Sequence, residues 1–421
     1  MKRKLKDGII AIQDGKGGVY DYAAFFLAEL SQLKFKPKVI TGQSVPEIII
    51  DGHKVISFAS NNVLGLGVDS SVLEKSAKFL KTYGTTCGGS RLVSGNLTIQ
   101  EELEHKLAEF MNKESCQLFM TGYMANEGVL LALSQRISLL RSRKLDERVV
   151  ILSDRENHIS IVNGCWLAKQ VNNADVRFYR HRNMVHLEKL LEKYKDYERK
   201  LIVTEGVYSM LGDIAPLDDI VKVAKKHGAF IILDDAHSIG IFGKAGRGTS
   251  EKFNITADID LIIGTFSKAF GGVGGFVVSN KQIVDFLKVQ CSTYIFSSAL
   301  PPSVVGGIEE ALLKISNGSH LRKKLWKNVA YVRKMLKKIG YNLLSSHSHI
   351  LPICIGEESL ASTISRDLLE KGIFLPEIRW PAVSKGKSIM RCMVTALHEQ
   401  KHLDKLIQSL KEIYETRMAP K

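Results

Sequence analysis

The middle of the chain alternates short runs of Ile, Val and Leu with stretches of helical period. Val149–Ser153, Leu201–Thr204, Phe230–Leu233, Leu261–Gly264 and Gly275–Val278 are almost continuously apolar. Such runs predict parallel strands buried on both faces. Between them, Glu101–Met111 places Leu103, Leu107, Phe110 and Met111 on one face of a helix, with Thr98 and Glu101 as a capping box. Leu217–His227 reads as a second helix, stopped by Gly228. Strands alternating with helices predict a doubly wound α/β domain. From about residue 310 the spacing changes. A long basic helix (Leu321–Ile339), a strand (Ile350–Ile355), another helix, a short strand near Ile389–Val394 and an amphipathic helix (Leu403–Ile413) predict a smaller α+β domain. The start of the chain reads as an arm with an aromatic-rich helix near Tyr20–Leu30. A hairpin follows, in which Glu47–Ile50 and Lys54–Phe58 flank Asp51-Gly52. The expected division is an arm and hairpin over 1–60, a large domain over 61–310 and a small domain over 311–421.

Composition changes this picture little. The chain has 421 residues, 45% hydrophobic and 24% charged, which suits an ordinary globular protein with more than one core. Its net charge is +15, from 59 basic and 44 acidic residues. That balance is compatible with nucleic acid, an anionic membrane surface or phosphate-bearing substrates. The lysines are spread along the chain, and no RNP-like motif, zinc-finger spacing or basic heptad helix accompanies them, which argues against nucleic acid. The basic surface leaves peripheral contact with a membrane open.

Cys87, Cys116, Cys165, Cys291, Cys354 and Cys392 show no metal-ligand or Cys-x-x-Cys spacing. They predict reduced, mostly buried thiols in a cytoplasmic protein, and no metal site. The basic N-terminus lacks the apolar run and cleavage site of a signal peptide, and no apolar stretch is long enough to span a bilayer. Asp14-Gly-Lys-Gly-Gly18 resembles part of a nucleotide-binding loop but lacks its second glycine and its Lys-Ser/Thr pair, so it reads as a flexible arm.

The densest chemical signal is Gly264-Thr-Phe-Ser-Lys268-Ala-Phe-Gly-Gly-Val-Gly-Gly275. A lysine at the end of a buried strand has its ammonium disfavoured, which makes it a competent Schiff-base amine. The hydroxyls of Thr265 and Ser267 can hold a phosphate, and the glycines let backbone approach a ligand. The alternative is a surface lysine in a flexible turn. Phe230-Ile-Ile-Leu-Asp234-Asp-Ala-His237 likewise ends a strand in polar residues, at the edge where such folds bind ligands. A carboxylate there can pair with a protonated pyridine nitrogen, and the histidine can reach a ring oxygen. Asp235 could instead be only a helix N-cap. His158, in Asp154-Arg-Glu-Asn-His158, could stack on a flat cofactor or be structural. Met120-Thr-Gly-Tyr-Met-Ala-Asn126 leads into an apolar helix whose first amides could bind phosphate, or could be an ordinary helix entry.

In this order, these segments resemble the α-oxoamine synthases, a fold-type-I pyridoxal-phosphate family. The likeness runs from about residue 45 to 415 and takes in further matches, since seven short motifs in register are far more specific than one. The further matches are Phe58–Leu66, Tyr83–Arg91, Thr204–Met210, Phe296–Pro302, Arg379–Val383 and Met390–Cys392.

The resemblance implies that Lys268 would carry pyridoxal phosphate as the internal aldimine. Asp234 would hold the pyridine nitrogen, His237 the ring oxygen, and His158 would stack on the ring. Ser209 would lie beside cofactor and substrate. Gly122 and Tyr123 amides with the Thr265 hydroxyl would cradle the phosphate. Ser297 or Ser298 would reach that phosphate from the other subunit of a homodimer. Arg391, helped by Asn62, would grip the substrate carboxylate through its planar fork.

The chain departs from the family at Val63, where a tyrosine is usual, and at Asp234-Asp235-Ala-His, where Asp-Glu-Ala-His is frequent. The valine bears on acyl preference more than on chemistry.

The implied reaction is a decarboxylative condensation of a small amino acid with an acyl thioester, giving an aminoketone, CO2 and free thiol. Four pairings are common: serine with palmitoyl-CoA, alanine with pimeloyl thioester, glycine with acetyl-CoA and glycine with succinyl-CoA. The Pro46–Phe58 hairpin, Gly264–Lys268 and Met390–Cys392 look closest to serine palmitoyltransferases. Asn157-His158 and Ser298-Ala-Leu-Pro-Pro302 also resemble 8-amino-7-oxononanoate synthases. An aminotransferase on the same fold, or a non-catalytic partner subunit, are the competing classes. Retention of Lys268 argues against the second.

Overall fold

The computed structural model describes residues 37–135 and 147–418, together with Val19, Tyr22, Ala23 and Phe26. Its strands are, in chain order, β1 (Ile40–Thr41), β2 (Glu47–Ile50), β3 (His53–Ser57), β4 (Ser115–Phe119), β5 (Val149–Asp154), β6 (Asp175–Tyr179) and β7 (Arg199–Glu205). They continue with β8 (Phe230–Asp234), β9 (Leu261–Thr265), β10 (Gly275–Ser279), β11 (Ile350–Gly356), β12 (Ile373–Phe374), β13 (Glu377–Ile378) and β14 (Ser388–Met393).

Seven strands form the central sheet, in the order β4-β10-β9-β8-β7-β5-β6. The neighbours from β9 to β6 run parallel, and β10 lies antiparallel between β9 and β4. The apolar runs explain this sheet because their alternate residues feed two cores. Val150, Leu152, Ile231, Leu233, Ile262 and Phe276 belong to one, with helices Thr98–Phe110 and Leu217–His227. Val149, Ile151, Ile232, Ile263 and Val277 belong to the other, with helices Gly122–Leu133 and Ile159–Asn172. Each such side chain taken out of water stabilises the fold by roughly 1.5–3 kcal/mol.

The sequence did not announce β4 or β6. Both are edge strands, and their Gln117, Asp175 and Arg177 break the apolar run that marks inner strands. The expected capping box is also corrected. Thr98 is the first helical residue, not the cap; the Gln100 side chain accepts from Leu97 N at 2.8 Å, while Glu101 accepts from Asn96. Helix Leu217–His227 does stop at Gly228, whose φ of 58° lies in the left-handed region that favours glycine. The basic helix spans Ser319–Ile339 and the last amphipathic one Gln400–Ile413.

After the basic helix, β14 lies between β11 and β13 in a three-stranded antiparallel sheet, with Pro352 opposite Arg391. β12 pairs with β3 in parallel, Ile373 opposite Ile56.

Among the described residues, 43–48 and 55–418 form one unit and 37–42 with 49–54 another. In the second, Ile40 and Thr41 pair with Ile50 and Ile49. The expected Asp51-Gly52 turn is there, with φ of 50° and 80°. Of the expected helix at Tyr20–Leu30, Tyr22, Ala23 and Phe26 are helical, as is Val19 before it. Its other residues, and the Asp14–Gly18 segment, lie outside the described residues.

All six cysteines are free, and only Cys354 is not fully buried. Among the described residues no helix is long and apolar enough to cross a membrane, and no group of three His, Cys, Asp or Glu side chains is arranged to hold a metal.

Candidate active site

Parallel strands β5, β7, β8 and β9 all end in polar residues at one edge of the sheet: Asp154, Glu205, Asp234 and Thr265. This is where an open α/β sheet presents a ligand site. His158, Ser209, His237 and Lys268 follow these ends within a few residues.

β10 then returns antiparallel, and its Gly275 stands opposite both Thr265 and Phe119. A Cβ on Gly275 would lie 2.5 Å from Gly122 N, and one on Gly122 would lie 3.2 Å from the Thr265 Cβ. Glycine at both positions lets the start of helix Gly122–Leu133 come down onto β9 and β10. Thr121 caps that helix, accepting from Met124 N at 3.1 Å. The Gly122 and Tyr123 amides have no intrahelical acceptor, and they point where an anion is favoured. The Thr265 hydroxyl stands beside them, 2.9 Å from Ser267 Oγ and bonded to Gly274 O.

Lys268 is half-buried, and its amine has no hydrogen-bond partner among the described residues. Burial lowers its pKa to about 8; Asp234 and Glu205 pull the other way, and Arg391 adds to the lowering. Asp234 is held in plane, its Oδ2 accepting from Asn126 Nδ2 at 2.7 Å and its Oδ1 from Ala236 N at 3.1 Å. Asn126 also donates to Ser160 Oγ, which lies 2.8 Å from His158 Nδ1. Since Nδ1 accepts from Ser160 N, the ring proton of neutral His158 belongs on Nε2. The backbone N–H of His158 donates to Glu205 Oε1 at 2.5 Å. Burial, together with the charge of Asp234, raises the Glu205 pKa well above the usual range. His158 itself is exposed, leaving its ring accessible beside this anchored backbone, and Tyr123 stands edge-on to it.

His237 is buried with Nδ1 unpartnered, and burial pushes its pKa well down. His349 packs beside it, ring centroids 6.3 Å apart, with neither nitrogen partnered; burial lowers its pKa to about 3. Arg391 donates from Nε to the Ser209 carbonyl at 2.8 Å, leaving the other nitrogens of the fork open. Burial lowers its pKa to about 10, against the pull of Glu205.

The structure therefore brings Gly122, Tyr123, His158, Ser209, Asp234, His237, Thr265, Lys268 and Arg391 to one edge of the sheet. Asn62 and the Ser297–Ser298 pair, the latter expected to serve the other subunit's phosphate, have no hydrogen bond to this cluster among the described residues. Asn62 donates to Ser44 O and accepts from Gly67 N, both at 3.1 Å, and so holds its own turn. Ser297 is half-buried and Ser298 exposed, in a recess lined by Arg91, Gln100 and Tyr294, with no hydrogen bond to the Lys268 cluster. Sequence reasoning passed over Asn126, Ser160, Glu205 and His349 as site residues. Glu205 had a signal, since it ends β7 as Asp234 ends β8. Asn126 follows Gly122 by one helical turn.

Pyridoxal phosphate fits this set. The free amides and the Thr265 hydroxyl suit its phosphate, and the open His158 ring suits its flat face. Lys268 suits its aldehyde, Asp234 its ring nitrogen. The buried, unpartnered imidazole nitrogens of His237 and His349 are polar atoms that need a partner in a dry site.

Residues 53–410 match the family described as Aminotransferase class I and II. The 8-amino-7-oxononanoate synthase of Thermoanaerobacter pseudethanolicus is 40% identical over 379 residues, which is 90% of this chain and 92% of that protein. Among solved structures, a serine palmitoyltransferase from S. paucimobilis with a bound PLP–myriocin aldimine superposes with a TM-score of 0.86 at 31% identity, covering 94% of this chain and 97% of that one. The 8-amino-7-oxononanoate synthase of Francisella tularensis superposes with a TM-score of 0.70 at 25% identity, covering 86% and 97%.

Proposed function

This chain belongs to the aminotransferase class I and II family and, within it, to the α-oxoamine synthases, and from that membership we propose that it condenses L-alanine with a pimeloyl thioester. The products are 8-amino-7-oxononanoate, CO2 and free thiol. The observation that carries this choice is the 40% identity with an 8-amino-7-oxononanoate synthase over nine tenths of the chain. It supports this reading better than the lean toward serine palmitoyltransferase, whose structures share 31–32% identity here.

The enzyme is a pyridoxal-phosphate-dependent acyltransferase. Bound pyridoxal phosphate supplies an aldehyde for the amino group and a protonated ring that accepts electrons. Lys268 Nζ would hold the cofactor by that aldehyde in the absence of the amino acid. Freed, the amine takes the Cα proton, and a pKa near 8 leaves a useful neutral fraction at neutral pH. Asp234, braced by Asn126, would accept a hydrogen bond from the ring nitrogen. Neutral His237 would reach the ring oxygen, and His158 would cover one face against water. The open nitrogens of the Arg391 fork take the substrate carboxylate, the group later lost as CO2.

The active unit is a homodimer in this reading. Phe296 is 85% exposed beside Ser297 and Ser298, and Leu92 and Val93 are exposed in the loop that Ala299 N joins through Gly89 O. Exposed apolar residues clustered in this way suit a partner subunit, whose phosphate the two serines would reach. Six free cysteines support a reducing, cytoplasmic setting.

Thiol release is the test, with alanine, glycine and serine each offered pimeloyl-, acetyl- and palmitoyl-CoA. Alanine with pimeloyl-CoA should exceed every other pairing by about tenfold or more, the scale on which a shaped pocket separates close analogues. Faster turnover of serine with palmitoyl-CoA would reject the proposal. Keto-acid formation without thiol release would instead indicate an aminotransferase.

A further inference from the structure

A second buried polar cluster lies behind the loop that carries Ser209. His181 follows β6, and its ring is held at both nitrogens. Nδ1 lies 2.9 Å from Asp154 Oδ1 at the end of β5, and Nε2 lies 2.9 Å from Asp213 Oδ2. Both carboxylates are buried, 0% and 1% exposed. A neutral ring would turn a lone pair toward one of them, so the geometry calls for a proton on each nitrogen.

Arg182 completes the cluster, its N–H donating to Asp154 Oδ2 at 2.9 Å and its Nη1 to Asp213 Oδ2 at 3.2 Å. The Tyr208 ring stands edge-on to His181 with centroids 4.5 Å apart, and its hydroxyl lies 2.9 Å from Thr204 Oγ1. The charged and titratable groups around the imidazole are thus Asp154, Asp213, Arg182 and Tyr208, with Tyr179 behind Asp154. Burial alone would lower the His181 pKa, but the two carboxylates outweigh it and raise the value to about 9.

Asp213 roots a tight loop. Tyr208 N donates to Asp213 O at 3.1 Å, Gly212 N donates to Tyr208 O at 2.8 Å, and Val207 bridges Ile214. Ser209 lies at the tip of that loop, and its carbonyl accepts the Arg391 Nε–H. Hydrogen bonds joined through the backbone of Asp213 and of Tyr208–Ser209 therefore link β5 and His181 to the guanidinium.

We propose that His181 is a positioning residue: as an imidazolium bridging Asp154 and Asp213, it fixes the Ser209 loop and thereby aims the Arg391 fork at the amino-acid carboxylate. It touches neither cofactor nor substrate. The proposal rests on the reading of Arg391 as the carboxylate clamp.

The test compares holoenzyme binding of alanine with binding of ethylamine, which has no carboxylate, followed by the change in the cofactor spectrum. His181→Gln should weaken alanine binding by about tenfold, a coupling within the usual range, while leaving ethylamine affinity and the cofactor band near their wild-type values. Equal loss for both amines, or no loss for alanine, would overturn the proposal. Arg391→Ala separates the two readings. If it leaves alanine affinity intact, the clamp itself is wrong; if it weakens alanine while His181→Gln does not, only the positioning role fails.

Should His181→Gln not fold, the wild-type protein labelled with 15N-histidine decides the matter. Both His181 nitrogens should be protonated at pH 7.5 and titrate near pH 9. A neutral ring at pH 7.5 would overturn the proposal.

Discussion

Lys268 shows how one residue's chemistry follows from its place at the end of a buried strand. Only a neutral amine can attack the cofactor aldehyde, and burial lowers the Lys268 pKa to about 8 from a usual value of 10.5. The neutral fraction therefore grows as pH rises through 8. Cofactor uptake by the apoprotein, followed by stopped-flow absorbance, should accelerate from pH 6.5 to 9 with an apparent pKa near 8. An apparent pKa near that of free lysine would contradict the desolvated site. Lys268 and Asp234 were legible in the sequence because each interrupts an apolar run at its carboxyl end. Glu205 stands in the same relation to β7. It was passed over because strand-end position does not say which way a carboxylate turns. His349 left no local signal, since its neighbour His237 lies on a different strand end far away in the chain.

At the scale of elements, helix Thr98–Phe110 is joined to the sheet by a buried ion pair. Arg91 Nη1 and Nη2 donate to the two Glu104 oxygens at 2.9 and 3.0 Å, and Glu104 Oε1 also accepts from Leu118 N on β4 at 2.9 Å. Arg91→Met would leave the buried Glu104 carboxylate with the part-exposed Lys288 ammonium, 3.7 Å away, as its remaining cation, a change that costs up to about 3–5 kcal/mol. Urea unfolding should register that loss, and Arg91→Met with Glu104→Leu should recover part of it. A single variant as stable as wild type would contradict the packing described. This brace was not legible, although Arg91 lies in a recognised motif, because a carboxylate on a helix reads as solvent-facing until the partner arrives. Inner strands were legible for the converse reason: burial on both faces writes an unbroken apolar run. Edge strands β4 and β6, covered less completely, carry polar residues and merge with their surroundings.

At the scale of the whole molecule, the doubly wound sheet followed from alternation alone. The parallel pairing of β3 with β12 did not, because a two-residue strand offers no period and its partner is remote in the chain. The cluster of Leu92, Val93 and Phe296 was equally invisible, since exposure is a property of the folded surface. Light scattering should give a mass near twice the 46.9 kDa of one chain. Phe296→Asp should shift the protein toward monomer and reduce turnover together with it, whereas a fully active monomer would contradict the shared site.

The account as a whole turns on Lys268 as the amine that carries pyridoxal phosphate. Borohydride reduction of the holoenzyme, followed by proteolysis and mass spectrometry of the peptides, reads this directly. The phosphopyridoxyl group should be found on Lys268 and on no other lysine, and Lys268→Ala should yield none. A label fixed to a different lysine of the wild-type protein, or no label after saturation with the cofactor, would contradict the account.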